Sequence, residues 1–143
     1  MANVLVVHGG GPTAVINASL YGVIAEAAKN REIEHVYGAI GGSEAIFQER
    51  FLDLAAYPEE KLKLLLTTPA TAIGSSRYAL EQEDYEAMTT IFQKHDIKYV
   101  LLNGGNGTMD TCGKIHRACK DAGICVVGIP KTIDNDIAIT DHT

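Results

Sequence analysis

The sequence predicts an α/β fold in which a doubly wound, mostly parallel sheet carries helices on both faces, a Rossmann-like arrangement. Short apolar runs alternate along the chain with segments of helical periodicity, which is typical of consecutive βαβ units. Glycine clusters follow two of the apolar runs, as expected where a strand turns into a helix at a ligand-binding edge. A length of 143 residues, of which 46% are hydrophobic, suits one domain with a core of its own.

Overall composition argues against several classes of function. The formal net charge of −6 is unfavourable for a nucleic-acid-binding surface. No apolar run reaches the roughly 18 residues of a membrane span, so we expect no membrane association. The chain begins with an apolar run rather than a basic leader, and Cys112, Cys119 and Cys125 lack metal-binding spacing. We therefore expect a cytoplasmic protein whose cysteines are reduced and behave as small hydrophobic residues.

The first half of the chain contains two predicted strands, two helices and a polar loop. The first strand contains a continuous apolar run at 4–7 that is followed by a glycine cluster, and the first helix has apolar residues at helical spacing. Pro58, a residue type favoured in first helical turns, marks the second helix. In chain order, the strand, helix, strand, helix and loop are predicted at residues 3–7, 13–29, 34–40, 59–66 and 67–77.

The second half continues the alternation of helix and strand. Acidic residues at 81–86 are typical of a solvated helix start, and Gly123 is expected to end the last helix. The predicted elements are a helix at 84–94, a strand at 98–102, a segment at 106–122 that begins as a loop and becomes a helix, and a strand at 124–128.

Two glycine-rich loops have the composition of phosphate cradles. Glycines 9–11 lie between the first strand and the first helix, and residues 104–108, Gly-Gly-Asn-Gly-Thr, connect a later strand to a helix. Backbone N–H groups approach a phosphate most closely where no Cβ intervenes, and the amino end of a helix adds a favourable field. The alternatives are a tight turn that binds nothing and a Thr108 side chain that only caps its helix.

Residues 128–136, Gly-Ile-Pro-Lys-Thr-Ile-Asp-Asn-Asp, follow the last strand and contain the densest cluster of reactive side chains. Asp134 and Asp136 stand two residues apart beside a lysine, a threonine and an asparagine. One carboxylate can accept a proton from an attacking hydroxyl while another holds a cation, which suits metal-assisted phosphoryl transfer. The alternative is that both aspartates only cap a turn or a helix.

Four stretches, in this order along the chain, resemble motifs of the phosphofructokinase family. They are the loop at 9–18, Gly-Ser-Ser-Arg at 74–77, Gly-Gly-Asn-Gly-Thr-Met-Asp at 104–110 and Pro-Lys-Thr-Ile-Asp-Asn-Asp at 130–136. The resemblance covers nearly the whole chain. It implies a longer protein whose second half supplies most of the sugar-phosphate site. We therefore expect residues 1–143 to be an amino-terminal, donor-binding portion that lacks that second half and stops after the last loop, at Asp141-His142-Thr143.

The resemblance also implies a role for each matching residue. Asp134 is expected to be the base that takes the proton from the 1-hydroxyl of fructose 6-phosphate, and Lys131 and Asp136 complete the expected catalytic set. Thr132 and Ile133 are expected to contact the sugar phosphate together with Asp134. The residues expected to contact the phosphoryl donor are Gly10, Gly11, Arg77, Gly105, Gly107 and Thr108.

Three positions bear on the metal and on the identity of the donor. Asn106 stands where the family typically has aspartate, so with Asp136 it is expected to hold Mg²⁺ through an uncharged ligand. Gly107 leaves room for the α-phosphate of a nucleotide and favours ATP. Lys131 is typical of family members that use pyrophosphate, although some ATP users carry it. The expected donor is ATP, with pyrophosphate as the alternative.

The implied activity is Mg²⁺-dependent phosphoryl transfer to fructose 6-phosphate by a protein that self-associates as a dimer or tetramer. Sugar, lipid and nucleotide kinases with a GGDGT loop, such as NAD kinases, are similar to this chain only at residues 104–108. A non-catalytic nucleotide- or phosphate-binding module is the alternative from a different class. A flavodoxin-like domain with accidental glycines is the third.

Overall fold

A five-stranded sheet forms the centre of the computed structural model, which describes residues 1–140. The strands are β1 (Ala2–His8), β2 (Ile33–Ala39), β3 (Phe51–Asp53), β4 (Ile97–Gly104) and β5 (Cys125–Pro130). The α-helices are α1 (Ala14–Ala27), α2 (Glu44–Phe47), α3 (Glu59–Leu62), α4 (Gln82–Lys94) and α5 (Asn106–Cys119). Short 3₁₀ helices span Leu54–Ala56, Lys63–Leu66 and Lys120–Ala122.

The strand order is β3-β2-β1-β4-β5, so β1 lies in the middle of the sheet. Strand β1 pairs in parallel with β2 and β4, and β4 pairs in parallel with β5. Only β3 is antiparallel, against β2. The predicted doubly wound, mostly parallel sheet is therefore confirmed. From β1 the chain adds β2 and β3 on one side of the sheet, and it then adds β4 and β5 on the other side. The topological switch point therefore lies at the carboxyl ends of β1 and β4.

Helices cover both faces of this sheet, as predicted. Successive side chains of a strand point to opposite faces, and in β1 Leu5 and Val7 enter the core under α2, α4 and α5. Val4 and Val6 enter the second core, which α1 covers. Burial of both sets explains why residues 4–7 are a continuous apolar run rather than an alternating one.

The segment between β2 and α3 differs from the sequence-based prediction, which contained neither α2 nor β3. Strand β3 has three residues and is defined by pairs such as Tyr37 with Asp53, so its conformation depends on β2 rather than on any periodicity of its own. The helix predicted at 59–66 is wrong in its second half, because the α-helix ends at Leu62 and continues as a 3₁₀ helix. Pro58 is the residue before its first turn.

Two further expectations need correction. The predicted loop at the start of 106–122 is wrong, since α5 begins at Asn106 itself. Cys112 and Cys119 are buried as expected, but Cys125 is exposed on β5; all three are free thiols.

Within residues 1–140, no helix is long and apolar enough to cross a membrane. The expectation for Asp141-His142-Thr143 lies outside the described residues.

Candidate functional site

Three loops meet at the carboxyl edge of the sheet. The Gly9 N–H donates to the Asn103 carbonyl at 3.0 Å, which joins the end of β1 to the end of β4. The Lys131 N–H donates to the Gly104 carbonyl at 2.9 Å, which extends the same register to the end of β5. The first glycine loop, the α5 amino end and the segment after β5 therefore lie side by side at the switch point, where ligands bind in sheets of this kind.

The two glycine-rich loops are in close contact through Thr108. A Cβ on Gly9 would overlap the Thr108 hydroxyl, and a Cβ on Gly104 would overlap it too and lie 2.5 Å from the Gly9 carbonyl oxygen. Thr108 is therefore a spacer between the loops, and no side chain caps α5 at Gly105. Gly10 has a φ of +71°, a backbone conformation that glycine adopts readily. Uncapped N–H groups at the amino end of α5 remain available to an anion.

A cleft of about 290 Å³, which we call the donor cleft, opens between these loops and the segment that ends at Arg77. It is lined by every residue expected to contact the donor except Gly11. Five further polar residues line it that the sequence did not assign to the donor: His8, Ser43, Ser76, Tyr78 and Thr111. Thr111 has a recognisable local signal, because it lies one helical turn after Gly107 and donates to that carbonyl at 3.1 Å. Ser43 and Tyr78 reach the cleft only through the fold.

The Arg77 segment is fastened to the first glycine loop by several polar contacts. Gly9 and Ser76 form an isolated parallel bridge, and the Ser75 hydroxyl donates to the Gly10 carbonyl at 3.0 Å. Asn17 of α1 donates to the Thr68 carbonyl at 2.8 Å and accepts from the Ala72 N–H at 2.7 Å. The predicted polar loop is thus an ordered strap across the sheet edge.

Arg77 itself is exposed at the rim of the donor cleft. Its guanidinium is always charged and has several donors, so it suits contact with a phosphate in this position. The amino end of α5, which also lines the cleft, contributes partial positive charge.

A second cleft of about 370 Å³, the acceptor cleft, is lined by residues of both glycine loops and of the loop after β5. It brings together Gly11, Gly105, Asn106, Lys131, Thr132, Ile133, Asp134 and Asp136. The two clefts share Gly105. Every site residue expected from the sequence therefore lies in one cleft or the other.

The loop after β5 is shaped by two local features. The Asp134 N–H donates to the Thr132 hydroxyl at 3.0 Å, and Asn135 has a φ of +50°, a region in which asparagine is enriched. The resulting turn leaves Asp134 and Asp136 exposed in the cleft. Their exposure agrees with a turn-forming role as well as with a catalytic one.

Lys131 links the loop after β5 to the first glycine loop. Its ammonium donates to the Gly11 carbonyl at 2.9 Å and leaves two further N–H groups for an anion. The side chain is only half exposed, so its charge is held close to the glycine loop.

The oxygen atoms in the acceptor cleft fit a magnesium ion that is also bound by phosphate. Asn106, Asp134 and Asp136 supply one amide and two carboxylate side chains. Residues 1–140 contain no group of three or more histidine, cysteine, aspartate or glutamate side chains that could hold a metal alone. Mg²⁺ commonly uses one or two carboxylates, water and substrate phosphate rather than a complete protein cage, so the sparse donor set suits it.

The architecture and the site define a doubly wound α/β protein with glycine-rich loops at its switch point. The sequence pattern of the family described as Phosphofructokinase matches residues 3–143, and the chain belongs to that family. Pyrophosphate–fructose 6-phosphate 1-phosphotransferase of Rhodospirillum rubrum is 40% identical over 142 residues, which are 98% of this chain and 35% of that protein. ATP-dependent 6-phosphofructokinase 2 of Streptomyces coelicolor is 34% identical over 142 residues, which are 96% of this chain and 39% of that protein.

A solved structure has the same fold. The crystal structure of pyrophosphate-dependent phosphofructokinase from Nitrosospira multiformis superposes with a TM-score of 0.91 at 37% identity, covering 98% of this chain and 36% of that one. The chain spans about a third of the length of these relatives. The family membership and the Rossmann-like fold expected from the sequence are confirmed. The expected preference for ATP is not, because both donors occur among the similar proteins.

Proposed function

We propose that this chain forms the donor-binding part of an enzyme that transfers a phosphoryl group to the 1-hydroxyl of fructose 6-phosphate, giving fructose 1,6-bisphosphate. The observation that carries the proposal is the meeting of the two clefts at Gly105. A phosphate cradle with Arg77 lies on one side of it, and a loop with Asp134 and Lys131 lies on the other. Phosphoryl transfer depends mainly on positioning and on stabilisation of charge, and this arrangement can provide both.

The residues of the acceptor cleft have separate roles in the proposed reaction. Asp134 takes the proton of the attacking hydroxyl, and Thr132 and Ile133 contact the sugar phosphate beside it. Lys131 stabilises negative charge on the group in transfer with the N–H groups that Gly11 does not use. Asp134 is exposed in the acceptor cleft, so its carboxylate can be reached by a hydroxyl group of the sugar.

The remaining polar groups bind the donor and the cation. In the donor cleft, Gly10, Gly105, Gly107 and Thr108 offer backbone and hydroxyl groups, and Arg77 offers a fixed charge. Mg²⁺, held by the side chains of Asn106 and Asp136, supplies charge neutralisation to the phosphates when it is bound.

We infer that pyrophosphate is the preferred donor. The similar proteins at 40% and 37% identity are pyrophosphate-dependent, whereas the ATP-dependent one is 34% identical. Lys131 adds a cation beside the glycine loop, where a small and highly charged donor would lie. ATP is the second candidate, because a Cβ on Gly107 would meet no atom within 4 Å and the cleft is open there to an α-phosphate.

A steady-state assay of the full-length protein with both donors in parallel tests the proposal. We expect turnover with pyrophosphate and a fall in kcat of about 10²- to 10⁴-fold in the Asp134→Asn variant. Asp110→Asn is the matched control, since Asp110 is also exposed but pairs with Lys114 on α5. Full activity of Asp134→Asn would contradict the role of that residue. Donor binding without turnover by the unmodified protein would favour the non-catalytic binding module.

We also propose that the full-length protein is cytoplasmic and self-associates as a dimer or tetramer. Family resemblance supports both statements. Light scattering after size-exclusion chromatography tests the second, and a monomeric mass at assay concentration would contradict it.

A further inference from the structure

His8 is a fully buried histidine directly before the first glycine loop. It is the last residue of β1, its relative exposure is 0%, and burial lowers the pKa of its imidazole to about 4. The side chain is therefore neutral near pH 7. It points to the α1 side of the sheet, because the even-numbered Val4 and Val6 of the same strand do so.

One nitrogen of His8 contacts the strap that ends at Arg77. His8 Nδ1 lies 2.7 Å from the Thr71 hydroxyl oxygen across a separation of 63 residues. The Thr71 hydroxyl also lies 3.4 Å from the Gly74 carbonyl, at the turn that leads to Ser75. The contact thus joins the end of β1, which continues into the glycine loop, to the middle of the strap.

The surroundings of His8 are unusually polar for a sheet interior. Asn103, its parallel partner on β4, is 1% exposed. His8 Nε2, Thr13 Oγ1 and Asn103 Oδ1 are buried without a hydrogen-bond partner within residues 1–140. Burying such groups costs free energy, and an apolar side chain at position 8 would avoid part of that cost. Packing alone therefore does not explain a histidine here.

We propose that His8 is a positioning residue of the donor cleft. Through its contact with Thr71, the His8 side chain holds the strap, and with it Arg77, against the first glycine loop. This inference rests on the proposed function. The glycine loop and Arg77 both line the donor cleft, so the separation between them decides how well a phosphate is held. No residue of the strap lines the acceptor cleft. Loss of the His8–Thr71 contact should accordingly weaken donor binding and leave sugar-phosphate binding unchanged.

The test measures both Michaelis constants and the thermal midpoint of the full-length protein and its variants. His8→Phe keeps a planar ring of slightly larger size and removes both nitrogens, and Thr71→Val removes the same contact from the other side. His8→Asn retains a polar atom near the Nδ1 position, and His8→Gln retains one near the Nε2 position. His116→Phe, on the exposed surface of α5, is the matched control.

We expect His8→Phe and Thr71→Val each to raise the donor KM about tenfold, the size of one lost hydrogen bond. The KM for fructose 6-phosphate should stay unchanged, the double variant should be no worse than either single one, and His8→Asn should restore much of the donor affinity. If His8→Phe does not fold, Thr71→Val still tests the same contact.

A donor KM that stays at the wild-type value in both variants would overturn the inference, as would equal increases in both Michaelis constants. Rescue by His8→Gln rather than His8→Asn would also overturn it, because the Nε2 side would then carry the effect. Failure of the proposed function is distinguishable from these results. In that case the wild-type protein itself would show no turnover with either donor.

Discussion

Replacing Gly104 with alanine perturbs the point where the two glycine-rich loops touch. The new Cβ would lie 2.5 Å from the Gly9 carbonyl oxygen and 2.8 Å from the Thr108 Cβ, whereas real Cβ contacts stay above 3.0 Å. The strand ends must therefore separate by about 0.5 Å, a gap that already weakens neighbouring dispersion contacts. Neither neighbour is the free end of a flexible side chain. We expect Gly104→Ala to reduce the free energy of unfolding by about 1–3 kcal/mol, the usual cost of overpacking.

Gly107→Ala is the matched control on the same loop. Its Cβ would meet no atom within 4 Å, and Gly107 lies in the first turn of α5, so alanine should gain helix propensity. We expect this variant to be as stable as wild type or more stable by up to about 1 kcal/mol.

Urea denaturation of the full-length variants, followed by circular dichroism without donor or sugar phosphate, measures the difference. Opposite directions of the two midpoints, at similar slopes, would support the packing argument. If Gly104→Ala unfolds at the wild-type midpoint, the close approach of Gly9, Gly104 and Thr108 is not rigid and the reasoning fails.

Three other predictions concern Lys131, His8 and the cysteines. Lys131→Met removes the ammonium that donates to the Gly11 carbonyl, and kcat in a steady-state assay should fall by about 10²-fold; an unchanged kcat would exclude Lys131 from charge stabilisation. Because burial lowers the pKa of His8 from 6.5 to about 4, the unfolded chain binds more protons in that window and stability falls on acidification. Wild type should lose about 2 kcal/mol more than His8→Phe between pH 7 and pH 5 in urea titrations, and identical pH profiles would contradict this. Burial also raises the pKa of the Cys112 thiol, so a thiol reagent should label Cys125 first, as read by peptide mass; preferential labelling of Cys112 would show that α5 opens readily.

Much of the fold could be predicted because its signals are local. The apolar run at 4–7 and the helical periodicity after it define a βα unit without knowledge of any distant residue. The helix starting near Asp84 was equally clear, and the structure adds a capping box between Glu81 and Asp84. The segment at 43–53 could not be predicted, because the three residues of β3 become a strand only by pairing with β2.

The candidate site also has features that the sequence could predict and features that it could not. Parallel strands end at one edge, so the sequence alone could group the loops after His8, Gly104 and Pro130. It could not predict that Thr108 separates two backbones, since that contact depends on the distance between β1 and β4. Nor could it predict the strap, which Asn17 holds through residues more than 50 positions away.

The sharing of Gly105 by both clefts has a consequence for how such an enzyme can change. In the proposed reaction, a phosphoryl group that moves between the clefts would pass main-chain atoms, whose positions are fixed by the sheet register and which no side-chain replacement removes. Substitutions at positions such as Gly107 and Lys131 would then alter charge and room for the donor without moving that path. On the proposed function, a change between a nucleotide and an inorganic donor would need few substitutions, as expected of a family in which both kinds of relative occur.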